Sequence, residues 1–238
     1  MRIAVTLSLL AAFCTVESIP AWSTDLEVLR TRIRDLKWNV ETIIRHLELL
    51  GSMAEDDTVW AVSLKWNKEQ DHCRMLETEL RTVIRKEVDA AKADGKKDVE
   101  ACYKEAVDGI SATVKKSHEE AAKCGETAKD KIHNDLSFIN NLISTAELLL
   151  VELENIILDC YDSDIHRMQS CIHSELAKAE NSLRTLESDI ITAEKTVHRV
   201  SDNVVMQAGN CIEGAYSTLR TSGPVVKMGV NKCILKKY

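Results

Sequence analysis

The chain has 238 residues, of which 45% are hydrophobic and only 4% aromatic, with two prolines and eight glycines. The hydrophobic fraction excludes compositional disorder, and the shortage of aromatic and turn-forming residues disfavours an all-β fold. The net charge of −7 argues against binding of nucleic acid or another polyanion by the protein as a whole.

Residues 1–23 have the pattern of a secretory signal peptide. Arg2 precedes an apolar run from Ile3 to Cys14, and Ser18 or Ser23 offers a small residue for cleavage. The alternative is a buried N-terminal helix. The run is too short to span a bilayer, and no later segment approaches about 20 uninterrupted apolar residues. We therefore expect a secreted, extracellular protein without a membrane span.

Residues 24–95 predict an N-terminal antiparallel helical hairpin. Its first helix starts at a Ser–Thr–Asp cap (23–25) and ends at Gly51. Its second helix starts near 56–58, where carboxylates suit a helix N-terminus, and ends around Asp94–Gly95. The heptad seam positions are Leu26, Leu29, Ile33, Leu36, Val40, Ile43, Leu47 and Leu50, then Val59, Val62, Trp66, Glu69, Cys73, Leu76, Leu80 and Val83.

Two further helical regions are predicted in residues 96–238. The third region covers about 97–160, with Gly125 as a candidate kink. The fourth follows a turn at 161–165, fades near Gly209 and stops before Gly223–Pro224. Their seams are Ile139, Leu142, Ala146, Leu149, Leu153, Ile156 and Cys160, then Ile172, Leu176, Ala179, Leu183, Leu186, Ile190, Ala193, Val197, Val200 and Val204. The sequence thus predicts an all-α, coiled-coil-like bundle of elongated antiparallel helical hairpins.

Seven cysteines remain after the signal peptide, and in a secreted chain they indicate disulfides. Cys102 and Cys124 are 22 residues apart, and so are Cys211 and Cys233. Because a helix rises about 1.5 Å per residue, this interval spans roughly 33 Å. Disulfide-bonded Cα atoms lie only about 4.4–6.8 Å apart. Neither pair is therefore bonded internally if one helix joins its members.

An antiparallel helix pair gives six of the cysteines a partner. The residue numbers of two facing positions in such a pair add up to a constant. This total is 335 for two of the pairings and 331 for the third. The resulting disulfides are Cys102–Cys233, Cys124–Cys211 and Cys160–Cys171. A compact bundle kinked at Gly125 and Gly209, with other partners, remains the alternative. Cys73 is left over, either as a buried free thiol or as an intermolecular bridge.

Two C-x21-C segments, CYKEAVDGISATVKKSHEEAAKC and CIEGAYSTLRTSGPVVKMGVNKC, flank the close pair Cys160 and Cys171. In this arrangement residues 102–233 resemble the TsetseEP-type domain of secreted insect proteins. The Glu-Pro repeats of the namesake are absent, and residues 24–93 lie outside the resemblance. The resemblance implies an insect protein of gut, saliva or another secretory tissue, and it favours the pairing of six cysteines. It brings no catalytic residues.

The sequence offers no constellation for catalysis. His166 and His173 lie near Cys160 and Cys171, but an oxidising compartment favours a disulfide over zinc there. No zincin helix, nucleophile elbow, P-loop or dinucleotide fingerprint occurs. We therefore predict that the protein is not an enzyme and binds no cofactor or metal.

The C-terminal end carries candidate contact residues. No acidic side chain follows Glu213, whereas basic residues accumulate at Arg220, Lys227, Lys232, Lys236 and Lys237. They predict contact with an anionic surface. The alternative is that these side chains only complement a helix C-terminus and keep a tail solvated.

These observations predict a non-catalytic secreted protein with a binding or structural role, in host–microbe or other host interactions. Its partner would be an unknown protein or an anionic surface, and the helix seams also allow homo-oligomers. Trp38, Trp60 and Trp66 are a second candidate recognition surface or part of the core. The alternative function is an amphipathic lipid carrier of the apolipoprotein type, although nested disulfides would restrain its opening.

Overall fold

The structure is a computed structural model, and it describes residues 21–237. In these residues it has no strand and contains four α-helices: α1 (Ala21–Ala93), α2 (Glu100–Asp135), α3 (Ser137–Asp159) and α4 (Ile165–Leu235). The predicted all-α, disulfide-stapled fold is confirmed. The predicted signal peptide, apart from the residues that begin α1, lies outside the described part of the chain and stays a prediction.

Two compact units divide the described chain. The large unit comprises residues 42–147 and 185–237, and the small unit comprises residues 21–41 and 148–184. Each unit combines segments that are far apart in sequence, so the division does not follow the boundary predicted at residues 95 and 96.

The large unit is a bundle of three helix layers. Near the middle of α1, Glu55 contacts His133 at the end of α2 at 2.9 Å. Towards the end of α1, Arg85 contacts Glu100 at the start of α2. These two helices are therefore antiparallel. In contrast, α4 runs parallel to α1. The residue numbers of contacting pairs increase together on the two helices, from His46–Glu194 through Trp66–Tyr216 to Glu87–Lys227. Within this unit α1 and α4 therefore point in one direction and α2 in the opposite direction.

The small unit uses shorter segments of α1, α3 and α4. Arg32 pairs with Glu180 at 2.5 Å, and Lys37 pairs with Glu154 at 2.8 Å. The Cys160–Cys171 disulfide closes the turn between α3 and α4, with 5.5 Å between the Cα atoms. In that turn Asp164 caps α4 by accepting the backbone N–H of His166 at 3.0 Å.

The heptad prediction matches the buried face in three of the four regions. In α3 every seam position except Leu142 is buried, and in α4 every position from Ile172 to Val204 except Val200 is buried. The second half of α1 departs from its predicted seam, because Ile84 and Val88 are fully buried whereas Val83 is only half-buried. An untwisted helix drifts off a strict seven-residue repeat, and the buried face moves by one position.

The predicted hairpin in residues 24–95 is wrong, because α1 continues without a break through Gly51 and residues 56–58. A glycine in a helix costs only about 1 kcal/mol relative to alanine, and here Gly51 packs against Ile139. Thr58 donates its hydroxyl proton to the Ala54 carbonyl at 2.7 Å and is buried as a helix-interior residue. The local break signals are weaker than the packing of this face.

The end predicted for the fourth helix before Gly223–Pro224 is also wrong, since α4 includes both residues and Gly209. Pro224 lies on the exposed side of the helix. Its missing N–H removes one helical hydrogen bond, and the hydroxyls of Thr221 and Ser222 bond to carbonyls of the preceding turn. Gly223 faces the bundle, where an added Cβ would lie 3.2 Å from Leu80.

The third helical region is interrupted at Leu136 and not at Gly125, which lies inside α2. Leu136 keeps its hydrogen bond to the Ile132 carbonyl at 3.0 Å, so only one residue leaves the helical conformation. Gly209 likewise lies inside α4. The alternative bundle with other cysteine partners is wrong, because the disulfides are Cys102–Cys233, Cys124–Cys211 and Cys160–Cys171. The helix end predicted around Asp94–Gly95 is confirmed, because α1 ends at Ala93 and Gly95, with a φ of +81°, forms a Schellman cap there.

One described segment has the length and composition of a membrane span. An 18-residue window within residues 100–159 has a mean hydropathy of 1.3, and 28% of it is buried. Core helices of soluble proteins pass the same test, and the seam of α3 is core. The absence of a membrane span therefore stays a prediction.

Candidate functional site

The five basic residues predicted to form one surface have two different roles. Arg220 forms an ion pair with Glu69, and Lys227 pairs with Glu87 at 3.2 Å, so these two side chains join α4 to α1. The other three, Lys232, Lys236 and Lys237, form no ion pair with any described carboxylate. Only this second group presents unneutralised charge.

Exposed apolar side chains lie beside the unpaired lysines. Val225, Met228 and Leu235 are each more than half exposed on α4. With Lys232 they occupy positions spaced by three, four and three residues, which places them on one helix face. We call these four residues, together with Lys236 and Lys237, which follow the last residue of α4, the basic–apolar face. The apolar part was missed because α4 was predicted to end before it.

A groove borders this face between the start of α2 and the end of α4. Its volume is 470 Å³, and its lining combines apolar residues with a basic end. Ala106 and Gly109 supply the α2 side, whereas Val226, Gly229 and Val230 supply the α4 side. The remaining lining residues are the three unpaired lysines, the disulfide Cys102–Cys233 and one carboxylate, that of Glu105.

The disulfide register explains why a groove opens here. Cys102 and Cys233 have Cα atoms 5.8 Å apart and line the groove. The same antiparallel register sets Ala106 opposite Gly229. Small side chains on both helices leave space, and a Cβ added at Gly229 would meet no atom within 4 Å. The covalent staple holds the two walls at this separation, so the groove exists before any ligand arrives.

The disulfide residues lie as the register argument predicts. The structure pairs Cys102 with Cys233, Cys124 with Cys211, and Cys160 with Cys171. Cys73 is the free thiol among the described cysteines, and it is buried. Burial raises the pKa of the Cys73 thiol, and the nearby Glu77 carboxylate raises it further. The thiol is therefore protonated at neutral pH and chemically quiet.

A polar cluster inside the large unit was not found from the sequence. Trp66 donates its indole N–H to the hydroxyl of Tyr216 at 3.3 Å, and Nδ1 of His118 lies 2.6 Å from that hydroxyl. Burial raises the pKa of Tyr216, so the phenol keeps its proton and serves as a structural hydrogen-bonding group. Trp66 is half-buried against this cluster, whereas Trp38 and Trp60 are exposed. No signal in the sequence indicated this cluster, because the predicted α4 seam stops at Val204, before Tyr216.

No group of three or more His, Cys, Asp or Glu side chains that could hold a metal ion occurs within residues 21–237. His166 and His173 are exposed, and their neighbours Cys160 and Cys171 form a disulfide. A zinc site formed by these histidines and cysteines would therefore lack its thiolate ligands.

Comparison of the chain with protein-family models, with curated proteins and with solved structures finds no match. The resemblance to the TsetseEP-type domain therefore stays a prediction that rests on cysteine spacing.

Proposed function

We propose that this chain is a secreted, non-catalytic binding protein of an insect secretory tissue, such as gut or saliva, that docks on anionic membrane surfaces. Docking uses the basic–apolar face at the end of α4. Three intramolecular disulfides are typical of extracellular proteins and support the proposed compartment.

The carrying observation is that unpaired lysines and exposed apolar side chains lie together on the last turns of α4 and in the two residues that follow it. Each lysine near an anionic bilayer contributes about 1 kcal/mol, so three contribute about 3 kcal/mol. Met228 and Leu235 add burial of apolar surface at the headgroup boundary. Glu87 neutralises Lys227 and Glu69 neutralises Arg220, so we assign no contact role to these two.

Vesicle flotation tests the proposal, with phosphatidylserine-containing vesicles compared with pure phosphatidylcholine. The protein should float with the anionic vesicles only, and less so at high salt because of screening. The variant Lys232→Gln/Lys236→Gln/Lys237→Gln should lose about 100-fold in partitioning.

A control variant with the same change in net charge is Lys115→Gln/Lys116→Gln/Lys178→Gln, which alters three exposed lysines elsewhere. It should bind like the unmodified protein. Equal losses in both variants would reduce the interaction to net charge and contradict a defined face. Binding to heparin without binding to anionic vesicles would also contradict the proposal, in favour of a polysaccharide partner.

A second candidate, the lipid carrier that opens its helices, is favoured by one observation. No disulfide joins α1 to another helix, since the described disulfides link α2 with α4 and α3 with α4. Separation of α1 would expose the core and with it Cys73.

Thiol labelling distinguishes the two functions. Docking leaves Cys73 buried, so its labelling rate should stay unchanged when vesicles are added. A rise of tenfold or more, absent from Cys73→Ala, would favour the carrier.

A further inference from the structure

We propose that the groove between α2 and α4 binds one dissolved anionic amphiphile of the fatty-carboxylate type. The apolar chain lies along Ala106, Gly109, Val226 and Val230, and the carboxylate lies at the lysine end. This goes beyond membrane docking, because it assigns a small-molecule site that operates without a bilayer.

The groove matches the shape of an extended chain with a single head. Its α4 side extends from Val226 to Cys233, and Lys236 and Lys237 follow just past the helix. The eleven residue steps from Val226 to Lys237 correspond to roughly 16 Å at the helical rise. The lining is apolar over the part formed by Ala106, Gly109, Val226 and Val230, and polar groups gather at one end. Preformed sites for amphiphiles combine an apolar wall with few convergent polar groups in this way.

Charge decides which head group fits. The groove lining contains one carboxylate, that of Glu105, and three lysines, Lys232, Lys236 and Lys237. The lysine end of the groove therefore carries net positive charge. The C-terminus of α4 and the N-terminus of α2 meet there, and their opposite dipole ends offset one another. The lysine side chains therefore make the electrostatic potential at this end positive. This favours a carboxylate head group over an ammonium or a hydroxyl.

The glycines of the groove provide a selective test. The variant Gly229→Leu places a side chain in open space and raises helix propensity, so the fold should persist while the groove fills. Gly214→Leu is the matched control, because Gly214 also lies on α4 with open space beside it but does not line this groove.

Titration calorimetry with decanoate, decylamine and decanol, each below its aggregation concentration, measures the site. Decanoate should bind one molecule per chain and at least tenfold more tightly than decylamine or decanol. Gly229→Leu should weaken decanoate binding at least tenfold, and Gly214→Leu should leave it unchanged.

Equal binding of the three amphiphiles, or equal decanoate binding by Gly229→Leu and the unmodified protein, would overturn the proposal. Vesicle flotation of the same variants separates this outcome from failure of the proposed function. Gly229→Leu keeps all three lysines and should still float with anionic vesicles. Loss of decanoate binding with retained flotation would show that amphiphile binding needs the groove, although both activities use the same lysines.

Discussion

Within the large unit, α2 and α1 are held against α4 by different means. Two disulfides join α2 to α4 at Cys102–Cys233 and Cys124–Cys211. The interface of α1 has no covalent link and relies on buried apolar residues, the Tyr216 cluster and ion pairs such as Lys227–Glu87. The helices α2 and α4 therefore form a covalently joined frame, whereas α1 depends on side-chain packing.

The energies of the two interfaces differ in kind. Closing loops of 131 and 87 residues stabilises the fold by about 4–5 kcal/mol each in the chain-entropy account. Exposed ion pairs contribute about 0–1 kcal/mol each. Burial of a large apolar side chain contributes about 1.5–3 kcal/mol, so residues such as Leu47, Ile84 and Val88 hold α1 in place.

Removal of one of the two disulfides between α2 and α4 should have the largest effect on stability. Replacing Cys124 and Cys211 by alanine should lower the free energy of unfolding by about 2–5 kcal/mol, measured by urea denaturation. The variant Cys73→Ala controls for loss of a buried sulfur and should cost less. If the two variants lose equal stability, the disulfide adds nothing beyond packing and the contrast between the interfaces fails.

Truncation on α1 should loosen that helix selectively. Ile84→Ala and Ile110→Ala each remove a side chain that is about 1% exposed, and each should cost about 2–4 kcal/mol. Because Ile110 lies between the two disulfide residues of α2, its loss should affect α1 less. We expect Ile84→Ala to raise the native labelling rate of Cys73 more than Ile110→Ala does; equal rates would show that α1 opens only with the whole bundle.

Loss of the Tyr216 hydroxyl should have an intermediate effect. The variant Tyr216→Phe leaves the Trp66 indole N–H without its acceptor and His118 without its partner, at a cost of about 1–2 kcal/mol. The fluorescence of Trp66 should shift as its hydrogen bond is lost. Stability equal to that of the unmodified protein would show that water replaces the phenol.

The smallest effect concerns acid pH. The side chains of Lys92 and then Arg85 hold the pKa of Glu100 below its ordinary value of 4.5. The contribution of Glu100 is therefore present above about pH 4.5 and is lost as the pH falls through its lower folded-state pKa. Glu100→Gln should flatten the decline of Tm below about pH 4.5. An unchanged slope would show that this exposed cluster at the start of α2 does not contribute.

Much of the fold follows from the sequence, because long-range order here arises from repeated local spacing. The α3 and α4 seams and the three disulfides are consequences of helical periodicity, which a single sequence displays. The errors arise at glycines and at Pro224, where local propensity opposes helix formation by only about 1–3 kcal/mol. Packing partners far away in sequence, such as Ile139 for Gly51 and Leu80 for Gly223, decide these positions.

The candidate site was predicted only in part. The lysines are visible in the sequence because charge needs no partner to be counted. Their division into paired and unpaired side chains depends on Glu69 and Glu87 of α1, more than one hundred residues away. The groove depends on Ala106 lying opposite Gly229, and the error at Pro224 removed the α4 wall from view.

The equal spacing of the paired cysteines restricts how the length of the chain can change. A residue deleted between Cys102 and Cys124 would turn Cys102 by about 100° and move it about 1.5 Å along α2, so that it no longer faced Cys233 while Cys124 faced Cys211. Only matched insertions or deletions on both helices preserve both bonds. We expect length variation among related chains to concentrate instead at the exposed connection after Gly95, where added residues cost little.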